Sequence, residues 1–327
     1  MQNEFFGAID IGGTKVAAMV AGRDGPLARV TEPTAKTGSP RALPEQVLRL
    51  LNAACVQAGV DMDQVRAVGV ASAGPFVQHD TGLHLVTPNI CGGLAGDGRL
   101  PNDWKSIPLE PVLRERFSEL AIENDCVAAL VAERSLGAVV DEPDCVYVTW
   151  STGVGFGLCV NGQILRGKHG NAGHGGHMLM SEVRDTLCGC GNRGDLESLI
   201  SGANLGGRAG GGMAQLYADA EAGDEAAREL VLDAARWLGR ALYNITALLD
   251  TRVFVIGGSV WNHHGHWLRP LVQEEIENRL PALTAGVRIL PAGLGPLVAD
   301  LGAISLVLPQ EYVTHWRATR PWAELQA

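Results

Sequence analysis

The sequence has no surplus of positive charge, no long apolar run and no framework of paired cysteines. Its 327 residues carry a formal charge of −10, which argues against broad binding to nucleic acid or to an anionic membrane. No apolar stretch reaches the ~18 residues of a membrane-spanning helix. The seven cysteines are an odd number and lie scattered, with only Cys188 and Cys190 close together. That excludes a disulfide scaffold and fits a reducing cytoplasm with one metal site. The opening residues Met1-Gln2-Asn3-Glu4-Phe5-Phe6 lack a basic segment and run straight into a strand, so no secretory leader is expected. The P-loop pattern is missing, no G-x-G-x-x-G leads into a helix, and no short-period repeat occurs.

What is present is an alternation of strands and helices. Phe5–Asp10 and Val16–Val20 read as strands around a tight turn, followed by a helix at about 43–58. Further strands are expected at 67–71, 120–123, 145–150, 158–160, 253–256 and 287–290. Helices are expected at 127–136, through 200–250 and near 297–308, before a polar tail. The segment Thr87–Pro108, rich in Gly, Pro, Asn and Asp, reads as a long loop, either a lid or a tolerated insertion. Two halves, each opened by a strand and a glycine turn, predict an α/β protein of two domains. The boundaries are placed at 1–122 plus about 308–327 for a small domain, and at 123–307 for a larger one.

Two glycine turns can hold phosphate. In Asp10-Ile11-Gly12-Gly13-Thr14-Lys15 the glycines permit a tight hairpin whose N–H groups can cradle an anion. Thr14 can add a hydroxyl, and Asp10 can hold Mg²⁺ through water. The second turn, Ser151-Thr152-Gly153-Val154-Gly155-Phe156-Gly157, also follows a strand and precedes one. Each alone could be an ordinary hairpin. Together they resemble the duplicated actin-like ATPase (ribonuclease H-like) fold. That resemblance implies an active-site cleft between the domains, with Thr152 and Gly153 on the ATP phosphates and Gly257-Gly258 on the adenosine side.

Asn124-Asp125 closes one strand and opens a helix. Asp125 could be a helix N-cap or a general base that accepts the proton of an attacking hydroxyl. Pro88-Asn89 is a turn whose amide offers both a donor and an acceptor.

The most informative segment is Gly173-His174-Gly175-Gly176-His177 with Cys188-Gly189-Cys190 and Asp195-Leu196-Glu197. His177, Cys188, Cys190 and Asp195 form a zinc-type ligand set; Asp195 could instead simply cap the helix that follows. With the turns above, this segment resembles the ROK family of sugar kinases and repressors over nearly the whole chain, from Asp10 to about Gly302. The resemblance implies Asp125 as catalytic base and a sugar pocket of Gly74, Asn89, Asn124, Asp125, His174, His177 and Glu197. It implies a zinc site at His177, Cys188, Cys190 and Asp195, and a homodimer. The chain departs from the family pattern twice. His174 stands where a sugar-binding Glu is usual, and Asp195 stands where a third Cys is usual.

The expected activity is transfer of the γ-phosphoryl of ATP to the 6-hydroxyl of a hexose, glucose first. N-acetylglucosamine, N-acetylmannosamine, mannose and fructose stay open as acceptors, and polyphosphate as donor. A sugar-responsive repressor would need a helix-turn-helix domain ahead of Asp10, and only nine residues stand there. A sugar-binding regulator without catalysis is the third reading.

Overall fold

The computed structural model describes residues 4–95 and 98–323, so Gly96 and Asp97 of the long loop and residues 324–327 of the expected tail lie outside the description. The chain forms two compact units. The first contains Met1–Val140, Arg166–Ala172 and Pro296–Ala327; the second contains Asp141–Leu165 and Gly173–Gly295.

The first unit is built on β1 (Phe5–Ile11), β2 (Lys15–Gly22), β3 (Gly25–Pro33), β4 (Val65–Ser72) and β7 (Glu119–Asn124), with a small hairpin of β5 (Phe76–His79) and β6 (Gly82–Leu85). Strand order is β3-β2-β1-β4-β7. β1 pairs antiparallel with β2 and parallel with β4, and β4 pairs parallel with β7. β1, β2 and β4 are nearly continuous runs of buried residues, as expected where helices cover both faces of a sheet. The helix Ala42–Ala58 buries Leu43, Val47, Leu50, Leu51 and Ala54, an i, i+3, i+4 stripe facing the sheet.

The second unit is built on β8 (Cys145–Trp150), β9 (Val154–Val160), β10 (Gln163–Ile164), β11 (Val253–Gly257) and β12 (Arg288–Pro291). Its order is β10-β9-β8-β11-β12. β8 pairs antiparallel with β9 and parallel with β11, which pairs parallel with β12. The first strand therefore has the same neighbours, in the same directions, in both units. This duplication is the actin-like ATPase fold.

Four sequence expectations change. The helix Asp125–Ser135 belongs to the first unit, not to the larger domain. Gly302 of the helix Val298–Ser305 approaches it so closely that an added Cβ would lie 3.0 Å from the Ala128 carbonyl carbon. The expected boundaries at 122/123 and 307/308 accordingly fall at 140/141 and 295/296. The second glycine turn is shorter than expected, because β9 begins at Val154. Gly155 and Gly157 are strand residues opposite Thr149 and Tyr147, and only Ser151, Thr152 and Gly153 turn. The expected polar tail is a packed helix, Gln310–Thr319, that buries Tyr312, Val313 and Trp316. Trp316 also donates its indole N–H to the Arg23 carbonyl at 2.8 Å. The long loop is anchored as well. Asn102 accepts from the Gly92 and Trp104 N–H groups and donates to the Lys36 and Ile90 carbonyls. Buried Trp104 donates to Gly38.

Candidate active site

Each unit carries part of the expected chemistry. In the first, Asp10 lies near the end of β1, opposite Ala17 on β2 and Ala71 on β4. The Gly12 N–H donates to the Lys15 carbonyl at 2.9 Å, and the Thr34 hydroxyl donates to the Gly12 carbonyl at 2.7 Å. Gly12 is thus engaged inside the turn, while Thr14 and Lys15 are exposed at its tip. A Cβ on Gly13 would lie 3.2 Å from that of Asn89, so the phosphate turn and the expected sugar ligand Asn89 are neighbours. Asn89 is exposed, on a turn held by bonds from the Ile90 and Cys91 N–H groups to the Thr87 carbonyl. Gly74 has a left-handed φ of 62° ahead of a cis bond to Pro75.

The N-cap of the helix Asp125–Ser135 is Asn124, not Asp125. The Asn124 side chain accepts from the Cys126 and Val127 N–H groups and donates to the Ala73 carbonyl. These bonds use the oxygen and one N–H of the amide that is expected to meet a sugar hydroxyl. Asp125 is the first helical residue. Its Oδ1 accepts the Cys126 N–H at 2.8 Å.

Asp10 has neighbours that the sequence reading missed. Burial, then Asp300 and Asp125, push its carboxyl up to about 7, while Lys15 and Arg29 pull it down. Asp300 is buried and accepts from Arg29 at 2.9 Å. An Asp inside the apolar helix Val298–Ser305 was the available signal. Crowded carboxylates around Asp10 are an environment that a divalent cation would relieve, so the residues fit Mg²⁺.

In the second unit, Gly258 joins β11 to the helix Ser259–Glu277. It has φ 93°, and an added Cβ would lie 2.4 Å from the Trp150 carbonyl oxygen, so only glycine fits. Ser151, Thr152, Gly202, Ser259 and Tyr217 line a cavity of about 540 Å³, of a size that suits a nucleoside. His263 and His264 also line it, and His264 stacks on Tyr217 with ring centroids 3.4 Å apart.

The Cys/His loop assembles as expected. The ligand atoms of His177, Cys188, Cys190 and Asp195 all lie within 4.8 Å of one another. His177 Nδ1 is 3.2 Å from Asp195 Oδ2 and 3.8 Å from Cys188 Sγ, and Cys190 Sγ is 3.5 Å from the same Asp195 oxygen. Those spacings and donor types fit a tetrahedral zinc. Burial alone would raise the Asp195 carboxyl. Bonds from His177, the Ser198 N–H and both thiols outweigh it and hold Asp195 at about 2. The same Asp195 bond raises His177, against the opposing effect of burial. His174 starts the short 3₁₀ turn Gly175–His177, its ring stacked at 6.1 Å from that of His177. Glu197 Oε2 accepts the Val154 N–H at 2.9 Å, and its Oε1 lies 3.5 Å from Cys188 Sγ. Glu197 therefore joins the metal cluster to the end of the second glycine turn.

Comparison with known proteins agrees with these features. Residues 6–310 match the model of the ROK family. The N-acetylmannosamine kinase of Escherichia fergusonii is 37% identical over 270 residues, covering 79% of this chain and 84% of that protein. The crystal structure of a ROK hexokinase from Thermus thermophilus superposes with a TM-score of 0.76 and 30% identity, over 93% of this chain and 97% of that one. A ROK family glucokinase from Streptomyces griseus, solved with glucose and AMPPNP, superposes with a TM-score of 0.67 and 28% identity, over 93% and 99%. A duplicated fold, the glycine turns, the Asn-Asp pair and the Cys/His loop, found together in one chain with these relatives, establish that it belongs to the ROK family.

Proposed function

We propose that this chain is an ATP-dependent sugar kinase that phosphorylates the 6-hydroxyl of N-acetylmannosamine or a closely related hexose. The observation that carries the chemistry is the placement of Asp125 at a helix start, close enough to Asp10 of the phosphate turn to perturb its charge. Asp125 accepts the proton of the sugar hydroxyl as that oxygen attacks the γ-phosphorus. Positioning and charge neutralisation supply the rest of the catalysis. In the first unit Gly13, Thr14 and Lys15 are the groups suited to phosphate; in the second, Thr152 and Gly153 play that part and the cavity beside Gly258 takes the nucleoside. Asp10 would hold Mg²⁺, which would supply positive charge to offset that of the phosphates. Asn89 is the sugar ligand of the first unit, and His174, His177 and Glu197 are those of the second, with His177 also a zinc ligand.

The acceptor reading shifts from glucose, expected first, to N-acetylmannosamine. The E. fergusonii relative bears that name at 37% identity. The hexokinase and glucokinase structures, at 30% and 28% identity, support a second reading in which an unmodified hexose is the acceptor. A coupled assay with Mg²⁺ and ATP, run over N-acetylmannosamine, N-acetylglucosamine, glucose, mannose and fructose, separates them. The highest kcat/KM is expected with N-acetylmannosamine. A clear preference for glucose would favour the second reading, and no turnover with any sugar would sink both.

A further inference from the structure

Sequence alone set two roles for Asp195 against each other, metal ligand and helix cap. The structure gives each of its oxygens a different one. Oδ2 faces His177 Nδ1 and Cys190 Sγ, inside the metal-ligand cluster. Oδ1 accepts the Ser198 N–H at 2.8 Å, and the Ser198 hydroxyl donates back to the Asp195 carbonyl at 2.8 Å. The helix so capped, Leu196–Ile200, has only five residues. So short a helix does not hold itself together and depends on such bonds, with a further one from the Trp150 indole N–H to the Ile200 carbonyl at 2.7 Å. It carries Glu197, which accepts the Val154 N–H at the start of β9, just after the second glycine turn.

We propose that Asp195 is a bifunctional ligand, in which one oxygen binds the metal while the other caps the helix of Glu197, so that this helix keeps its place whether or not the ion is bound. A cysteine has a single donor atom at this position. Once its sulfur is bound to zinc, it cannot also serve as a strong acceptor for the Ser198 N–H. With cysteine here, the ion itself must hold the start of the helix. The carboxylate removes that dependence, and as a harder donor than thiolate it makes the zinc weaker and more exchangeable.

The test uses the full chain with D195C and D195N, each zinc-loaded and each stripped with dipicolinate. Two quantities are read: zinc affinity by competition with a chromophoric chelator, and hydrogen exchange of the peptide spanning 195–201. In the parent protein, one zinc binds and the peptide stays protected after stripping. D195N keeps an excellent cap but loses the anionic ligand, so protection survives stripping while affinity falls by about tenfold or more. D195C gains a soft ligand and loses the cap, so affinity rises by about tenfold or more and protection collapses on stripping. A parent protein that binds no zinc, or that loses protection on stripping as D195C does, overturns the proposal. So does D195N with unchanged zinc affinity. If D195C fails to fold, the parent and D195N still decide the matter. No readout involves phosphoryl transfer, so the result stands apart from the sugar-kinase reading.

Discussion

The proposed chemistry rests on single carboxylates whose environments differ. Asp125 sits at the positive end of a helix, whereas Asp10 is crowded by Asp300 and Asp125. Asp125→Asn keeps an acceptor for the Cys126 N–H, so its melting temperature should stay within a few °C of the parent. Its kcat should fall by about 10²–10⁴-fold, and near-normal turnover would remove Asp125 as the base. For Asp10 the sign follows from its position. The folded state holds the Asp10 proton up to about 7, while an ordinary carboxyl releases it at 3.8. Between those values unfolding releases a proton, so this group makes stability fall as pH rises from about 4 to about 7. Asp10→Asn should therefore melt higher than the parent at pH 8 by several °C, with the difference vanishing near pH 4. A pH-independent difference would contradict the assignment. Much of this level was legible in sequence, because Asp10, Asp125 and the Cys/His ligands stand in short motifs. Asp300 was not legible, since its partners Arg29 and Asp10 lie far away in the chain.

At the level of elements, many strands and helices were expected from the sequence, but β3, the β5–β6 hairpin and the helix Ser259–Glu277 were not, and other departures have local causes. Gly155 and Gly157 look like turn residues, yet β8 supplies ladder partners that hold them extended. The helix Gln310–Thr319 looks polar because its apolar residues are few, yet they are large and buried. Trp316→Ala should cost about 3–5 kcal/mol in urea unfolding, where a polar tail would cost nothing measurable. Gly258 marks the junction of β11 and the helix beside the cavity. Gly258→Ala forces a Cβ toward the Trp150 carbonyl in a left-handed backbone, at a cost of about 1–3 kcal/mol. It should raise the KM for ATP more than the KM for the sugar, and an unchanged KM for ATP would separate this turn from nucleotide binding. The loop around residue 100 shows the opposite lesson. Its composition suggested slack, but Asn102 makes four hydrogen bonds there, and no pattern in sequence announces a side-chain hub.

For the whole molecule, one sheet topology is used twice. Each copy places a glycine turn after its first strand, and each unit has its own apolar cluster. No helix among the described residues is long and apolar enough to cross a membrane. Binding should be visible as global stabilisation. A nonhydrolysable ATP analogue with Mg²⁺ at roughly a hundredfold above its Kd should add about 2.7 kcal/mol to unfolding. No shift in the melting curve would argue against a nucleotide site. The sequence by itself determined the α/β class, the two glycine turns, the Asn-Asp pair and the metal-ligand set, because each depends on a few residues close together in the chain. The tertiary structure alone decided which unit holds the helix Asp125–Ser135, what surrounds Asp10, which histidines line the cavity and how Asp195 divides its two oxygens. Those outcomes depend on packing between distant segments, where burial and partner geometry, not residue type, set the role of a side chain.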